Sequence, residues 1–171
     1  LDGFLTDVSF NLRRGEILGL AGLMGSGRTE LVQALFGLTP LQSGDIRLGG
    51  KLIHPTSPKK VIKKGFALIP EDRRAQGLVL DHSVRENMTL TLLGQFSQGG
   101  FTKKAKEREI VARIVEQLAI KLAYPEIRVN TLSGGNQQKV VIGKWLGTQP
   151  VLLLMDEPTA GVDIGTKSEI L

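Results

Sequence analysis

Three stretches of this chain have residue types and spacings that could do chemistry. Gly22-Leu23-Met24-Gly25-Ser26-Gly27-Arg28-Thr29 follows the spacing G-x-x-x-x-G-K-[ST], with arginine where the pattern has lysine. Small residues at this spacing let successive backbone N–H groups wrap a phosphate, and a helix starting there aims its positive end at the anion. The candidate phosphate contacts are Gly22, Gly25, Ser26, Gly27, Arg28, Thr29 and Glu30, with the Thr29 hydroxyl suited to Mg²⁺. A glycine-rich turn between a strand and a helix would have the same composition, so the loop alone leaves both readings open.

The second stretch, Val151–Met155, is an apolar run that ends in Asp156 and Glu157. An aspartate at a strand's C-terminal edge beside a phosphate loop can hold the water shell of a metal, and the adjacent glutamate can polarise an attacking water. Solvated acids at a strand end would look the same. The third stretch, Leu132-Ser133-Gly134-Gly135-Asn136-Gln137-Gln138, has a serine placed to cap a helix that then opens on two glycines. Glycine there costs about 1 kcal/mol per residue relative to alanine. A phosphate held by the bare helix end would offset that cost, although an ordinary serine-capped helix shares the pattern. One nucleotide at the first stretch has no obvious use for this second anion site. Two copies facing each other, each lending its Ser-Gly-Gly turn to the other's nucleotide, resolve the difficulty.

The elements that position these residues follow from periodicity. Residues 4–12 alternate Val8, Phe10 and Leu12, a half-buried strand. Arg13-Arg14-Gly15 turns the chain into Glu16–Ala21, an apolar run suited to a central strand, and Thr29–Phe36 then has helical spacing up to Gly37. Asp45–Leu48, Gly49-Gly50 and Lys51–Ile53 predict a two-residue hairpin. Ser57–Lys64 reads as a short basic helix and Phe66–Ile69 as a strand stopped by Pro70. From about 83 to 147 the period is helical. In 103–122, Ile110, Ile114, Leu118 and Leu122 recur beside Val111, Val115 and Ala119, and a second helix spans about Gly134 to Leu146. Val151–Met155 returns to strand, and Lys167–Leu171 opens another helix. The fold expected is α/β, with an inserted helical arm.

Composition bounds the rest. At 171 residues the chain is one domain's worth, and 41% apolar with 23% charged residues excludes a disordered chain. Zero cysteines exclude a disulfide scaffold and a thiolate metal site. No apolar run approaches the ~18 residues of a bilayer span, and no signal-peptide pattern is present. A start at Leu1 and a stop at Leu171 within a helical pattern read as a piece of a longer chain.

The order of phosphate loop, LSGGNQQ and LLLMDEP resembles an ABC-type ATPase domain. More narrowly, GLMGSGRTEL, IPEDRRAQGLV, SVRENMTL, LSGGNQQKV and DEPTAGVDIGTKSEI resemble the second nucleotide-binding half of bacterial simple-sugar importers of the ribose/galactose/xylose group. The likeness runs from about Leu5 to the end. It implies a P-loop NTPase core of ABC type, with an antiparallel β part, over 1–72 and 148–171. A helical signature subdomain over 73–147 is inserted into it. It implies ATP and Mg²⁺ as cofactors, a second nucleotide-binding domain on the same or another chain, and membrane permease subunits. A periplasmic sugar-binding protein would be met only indirectly, and the place of work would be the cytoplasmic face of the inner membrane. By the same resemblance Gly22–Thr29 is the Walker A loop, Leu132–Gln137 the signature with Ser133, Gly134, Gly135 and Gln137 at the nucleotide, and Asp156 the Walker B aspartate. Glu157 becomes the catalytic glutamate, Asp163 the D-loop aspartate, and Glu71 stands where most such domains have the Q-loop glutamine. The switch histidine is expected beyond Leu171 and the adenine-stacking aromatic before Leu1. His54 and His82 match neither role and read as surface histidines.

Two departures carry consequences. Guanidinium at Arg28 is wider and less mobile than a lysine ammonium, and Glu71 places an acid where an amide would approach the γ-phosphate. With the Ser-Gly-Gly turn intact, the expectation is asymmetry: this half binds nucleotide but hydrolyses it poorly, and its signature completes the partner's site. Two other readings share the motifs, a DNA-repair ATPase and a regulatory module without turnover. The excess of 22 basic over 17 acidic residues sits in Pro58–Lys64, Arg73-Arg74 and Lys103–Arg108, with little aromatic interleaving. That favours a solvated face over a nucleic-acid partner.

Overall fold

The computed structural model describes residues 6–98, 101–102 and 104–170, and its chain divides into two units, Leu1–Lys64 and Gly65–Leu171. In the first unit, α1 (Arg28–Phe36) ends on Gly37. The Gly37 N–H donates to Ala34 O and the Leu38 N–H to Gln33 O, the paired reversal that closes many helices. β1 (Ile46–Leu48) and β2 (Lys51–Ile53) form the expected antiparallel hairpin, with Leu48 opposite Lys51. Its two turn residues, Gly49 (φ 56°) and Gly50 (φ 78°), both take the left-handed conformation that a tight hairpin requires. The short basic helix is present as α2 (Pro58–Ile62), with proline in its first turn. Among the described residues of this unit, Val32, Phe36, Ile53 and Val61 are buried apolar side chains.

The strands expected over 4–12 and 16–21 are absent. Phe4 and Leu5 lie outside the described residues, and 6–12 and 16–21 carry no strand. Val8, Phe10 and Leu12 stay exposed, and Ile17 is 96% exposed. The turn between these runs does form, with the Glu16 N–H donating to Arg13 O. Alternation gives a strand a face, but only a neighbouring strand gives it a ladder. Among the described residues no segment pairs with either run.

In the second unit, β3 (Phe66–Ile69) pairs in parallel with β6 (Leu152–Met155), Ile69 opposite Met155. All four β3 residues are buried. Between them in sequence come a π-helical turn (Arg73–Gly77), α3 (Val84–Thr89), a 3₁₀ turn at Leu90–Leu92, α4 (Leu93–Phe96), α5 (Lys104–Gln117) and α6 (Gly134–Leu146). α7 (Ile164–Ile170) follows β6 and begins earlier than Lys167, because Asp163 caps it through Thr166. The helical stretch also contains a small antiparallel pair that periodicity missed, β4 (Ser97–Gln98) with β5 (Phe101–Thr102). α5 stops at Gln117, short of the expected 122. Ala119 turns left-handed (φ 47°), its N–H donating to Glu116 O and that of Ile120 to Val115 O. This is the same helix-ending reversal as at Gly37, built without glycine and so without a sequence signal. Within the expected stripe, Val111 and Ile114 are buried. Among the described residues no helix is long and apolar enough to cross a membrane.

Helix α6 lies at the centre of this unit, with ten of its thirteen residues buried. Val140, Val141, Ile142 and Trp145 spread apolar surface around its circumference, as a helix enclosed on all sides needs. Gln137, Lys139 and Lys144, all buried on it, each find an acceptor. Gln137 Nε2 donates to Leu132 O at 3.1 Å, and Lys139 Nζ donates to Glu169 at 2.7 Å. Lys144 Nζ donates to Gly77 O at 2.5 Å and stands 5.6 Å from the Trp145 ring.

Burial pushes the Lys144 ammonium down to a pKa of about 8. A lysine depressed in the folded state carries its full desolvation cost wherever both folded and unfolded chains are protonated, below about pH 8. Between there and the unfolded value near ~10.4 the unfolded chain binds more protons, so stability rises with pH, by on the order of 3 kcal/mol. The difference in urea-unfolding free energy between wild type and Lys144→Met should therefore climb across that window. A flat difference curve contradicts the assignment.

Candidate functional site

In the first unit, the Gly22–Thr29 stretch forms an exposed loop that runs into α1. Gly25 (φ 80°) and Gly27 (φ 87°) are left-handed, and the Ser26 N–H donates to Leu23 O to tighten the turn. A side chain at Gly22 would strike Ser26 Oγ. No side chain caps the helix at Gly27, so the first-turn N–H groups face outward without an intrahelical acceptor. Glu30 is exposed in that first turn, while Arg28 and Thr29 are half-buried. The loop and helix of the expected strand–loop–helix are present; the strand before them is the part that did not form. An uncapped helix end after a glycine turn is suited to an anion.

In the second unit, the acids stand at the C-terminal edge of the parallel pair, where ligands gather in α/β sheets. Asp156 N–H donates to Ile69 O, extending the ladder by one residue. The Asp156 side chain is 8% exposed and has no protein partner among the described residues. A carboxylate with neither oxygen committed to the protein is suited to a hydrated cation. Glu157 is exposed and left-handed (φ 42°), an uncommon conformation for a non-glycine residue that costs roughly 1–3 kcal/mol. Glu71, exposed just past Pro70, lies at the same edge. Among the described residues no group of three or more acidic, histidine or cysteine side chains could hold a metal alone.

The Ser-Gly-Gly turn is formed as expected, and side chains from elsewhere in the chain crowd both of its glycines. Ser133 Oγ accepts from the N–H and Nδ2 of Asn136, at 3.4 and 3.0 Å. A Cβ on Gly134 would lie 2.7 Å from Arg73 Nη2, and one on Gly135 would lie 2.6 Å from Thr166 Cγ2. Both glycines thus leave room for neighbouring side chains, the movable end of Arg73 at Gly134 and the short Thr166 at Gly135. Ser133 remains exposed, whereas Gln137 is buried with its amide committed to Val129 O and Leu132 O. Gln137 thus braces the turn from behind.

Beside the turn lies a polar cleft of about 300 Å³ lined by Lys121, Ser133, Asn136, Lys139, Asp163 and Thr166. Asp163 accepts from Thr166 N–H and Oγ1, which holds its carboxyl below the usual range. Arg73 is the residue that sequence reasoning misplaced. Expected on a solvated basic face, it is half-buried, with Nη1 donating to Ala160 O at 2.7 Å and Nη2 to Gly161 O at 3.1 Å. Its partners lie 87 and 88 positions away, so no local pattern could have found them. His54 and His82 are exposed, as expected.

The family model described as "ABC transporter" matches residues 5–160. The chain is 50% identical over 168 residues to the ribose import ATP-binding protein RbsA of Geobacillus kaustophilus, covering 98% of this chain and 34% of that protein. It is 47% identical over 170 residues to a putative ribose/galactose/methyl galactoside import ATP-binding protein of Pseudomonas savastanoi pv. phaseolicola, covering 99% and 32%. The chain thus spans about a third of the length of these relatives. Its fold matches the dimeric ATP-binding cassette MJ0796 bound to ADP and Pi, with a TM-score of 0.78 at 23% identity over 98% of this chain and 71% of that one. The cassette MJ1267 matches with a TM-score of 0.70 at 25% identity, over 85% and 59%. A family match over nearly the whole length, on the α/β fold of such cassettes, makes this chain an ATP-binding domain of the ABC transporter family.

Proposed function

We propose that the protein containing this chain is the ATP-binding subunit of a bacterial importer for ribose or a related simple sugar. The likeness at half of all positions to ribose import ATP-binding proteins, across 98% of the chain, carries the reading. In it, Gly22, Gly25, Ser26, Gly27, Arg28, Thr29 and Glu30 surround the nucleotide's phosphates through the open start of α1. Thr29 and Asp156 would hold Mg²⁺, which when bound neutralises phosphate charge. Glu157 orients and polarises the attacking water, and Glu71 faces the γ-phosphate. Ser133, Gly134 and Gly135, braced by Gln137, present the signature turn to nucleotide on a second cassette.

The division into an ATP-binding core (1–72 and 148–171) and a helical subdomain (73–147) belongs to the same reading. It is supported by the packing of α3, α5 and α6 on one another. Membrane permease subunits would receive the work at the cytoplasmic face. Arg28 and Glu71 make this half the weaker hydrolase, its signature serving the partner.

The test is ATP-driven uptake of labelled ribose by the full-length protein and its permease subunits in proteoliposomes. Uptake that stops without ATP supports the reading; ATP turnover without uptake of any simple sugar refutes it. Because this half hydrolyses poorly, Glu157→Gln should lower turnover only a few-fold, against the 10²–10⁴ typical of a lost general base. A loss in the upper range would mean that this loop carries turnover itself.

A further inference from the structure

The guanidinium of Arg73 lies where three pieces of the site meet. Its two terminal nitrogens donate to the consecutive carbonyls of Ala160 and Gly161, two to three residues before Asp163. Nη2 also occupies the space that a side chain on Gly134 would need. Arg73 Nε is buried without a hydrogen-bond partner, and among the described residues no carboxylate pairs with Arg73. A cation beside the positive end of α6, with no acid to balance it, is electrostatically unfavourable. The arrangement persists because the planar fork fits two adjacent carbonyls, a geometry that a lysine cannot copy.

Arg73 also opens the π-helical turn that begins two residues after Glu71, and such turns gather at functional sites. Asp72 fixes the start of that turn, accepting from the N–H groups of Arg74 and Ala75. The other end is fastened to α6 as well. Gly77 sits against Val141, and Gly77 O accepts from Lys144. Thus the segment after Glu71 is tied to α6 at both ends, and at one of them to the Ala160–Gly161 backbone too.

We infer that Arg73 is a positioning residue that pins the Ala160–Gly161 turn against the signature turn, so that Asp163 and Ser133 keep a fixed spacing and displacement at Glu71 reaches both. The inference rests on the transport-ATPase reading for its kinetic meaning, but not for its structural meaning.

The experiment uses the full-length protein with its permease subunits and compares wild type, Arg73→Lys, Arg73→Ala, Gly134→Ala and the Arg73→Ala/Gly134→Ala pair. Arg73→Lys should lower kcat for ATP about tenfold, the size expected for losing a charged hydrogen bond, with KM for ATP changed less than about twofold. Amide exchange over 158–164 should quicken about tenfold while the melting temperature stays within about 2 °C. Adding Gly134→Ala to Arg73→Ala should quicken exchange over 158–164 by less than about twofold further, because the intruded-on group is already gone. Unchanged exchange over 158–164, an unchanged kcat in Arg73→Lys, or exchange that quickens several-fold further in the double variant would each overturn the inference. If wild type itself neither turns over ATP nor imports sugar, the transport reading fails, and the exchange measurement still decides the role of Arg73.

Discussion

Ser133→Arg in the full-length protein should lower ATP turnover by about a hundredfold or more, the scale set by losing a preorganised donor site for a developing anion. Ser133 is exposed at the start of α6, and its hydroxyl oxygen is anchored by two donors from Asn136. Arginine would remove this cap and fill the mouth of the adjoining polar cleft. The cap itself accounts for only about 1 kcal/mol of helix stability. Folding should therefore survive, and the melting curve of Ser133→Ala, which removes the same cap without filling the cleft, provides the control for that. By contrast, Arg28→Ala should cost no more than a few-fold, because the loop already departs from lysine. Steady-state ATP hydrolysis with matched melting curves makes the comparison. Equal losses at Ser133 and Arg28 would sink the proposed asymmetry between the two halves.

The second large effect is on stability. Asn87 is fully buried, its Oδ1 accepting from the Val79 N–H at 2.8 Å while Nδ2 donates to the carbonyls of Val79 and Ser83, each at 3.0 Å. One side chain thus fixes the 79–83 loop onto α3, whose start is set by a capping box between Ser83 and Glu86. That box, with Ser83 hydrogen bonds foremost, also draws the Glu86 carboxyl below its usual range. Asn87→Asp keeps the shape but replaces the donor with an oxygen facing two carbonyls. The loss of two donated bonds together with a buried, mismatched acid should cost about 4 kcal/mol or more. Urea unfolding checks it, and a change below about 1 kcal/mol would show that the loop is held by something else. Against a typical domain stability of about 5–15 kcal/mol, the expected loss would leave a substantial unfolded fraction in weaker variants.

What could be read from the sequence follows the range of the forces. The hairpin at Gly49-Gly50, the stop of α1 at Gly37 and the capped start of α6 at Ser133 are decided within a few residues, and each is where its residues place it. β3 and β6 were legible because a short, wholly apolar run between breakers has few other uses. The runs at 6–12 and 16–21 carry an equally plain strand pattern, yet a strand depends on its neighbours, and the pattern says nothing of those. The end of α5 at Gln117 was hidden because Ala119 adopts a conformation normally announced by glycine. For the site, the phosphate-loop turn and the acids after β6 were legible in kind. The crowding of Gly134 and Gly135 was not, since it comes from Arg73 and Thr166, far away along the chain.

The enclosure of α6 has a mechanical consequence. This helix touches β3, α3, α5, α7 and the π-helical turn along its length, and close-packed interiors shift between discrete arrangements more readily than they bend. It is expected to move as a rigid shaft, so that a displacement forced near Trp145 also reaches Ser133 at its other end. Sequence drift around it is correspondingly constrained, because a bulkier residue on any one flank must be answered by a smaller one across the shaft.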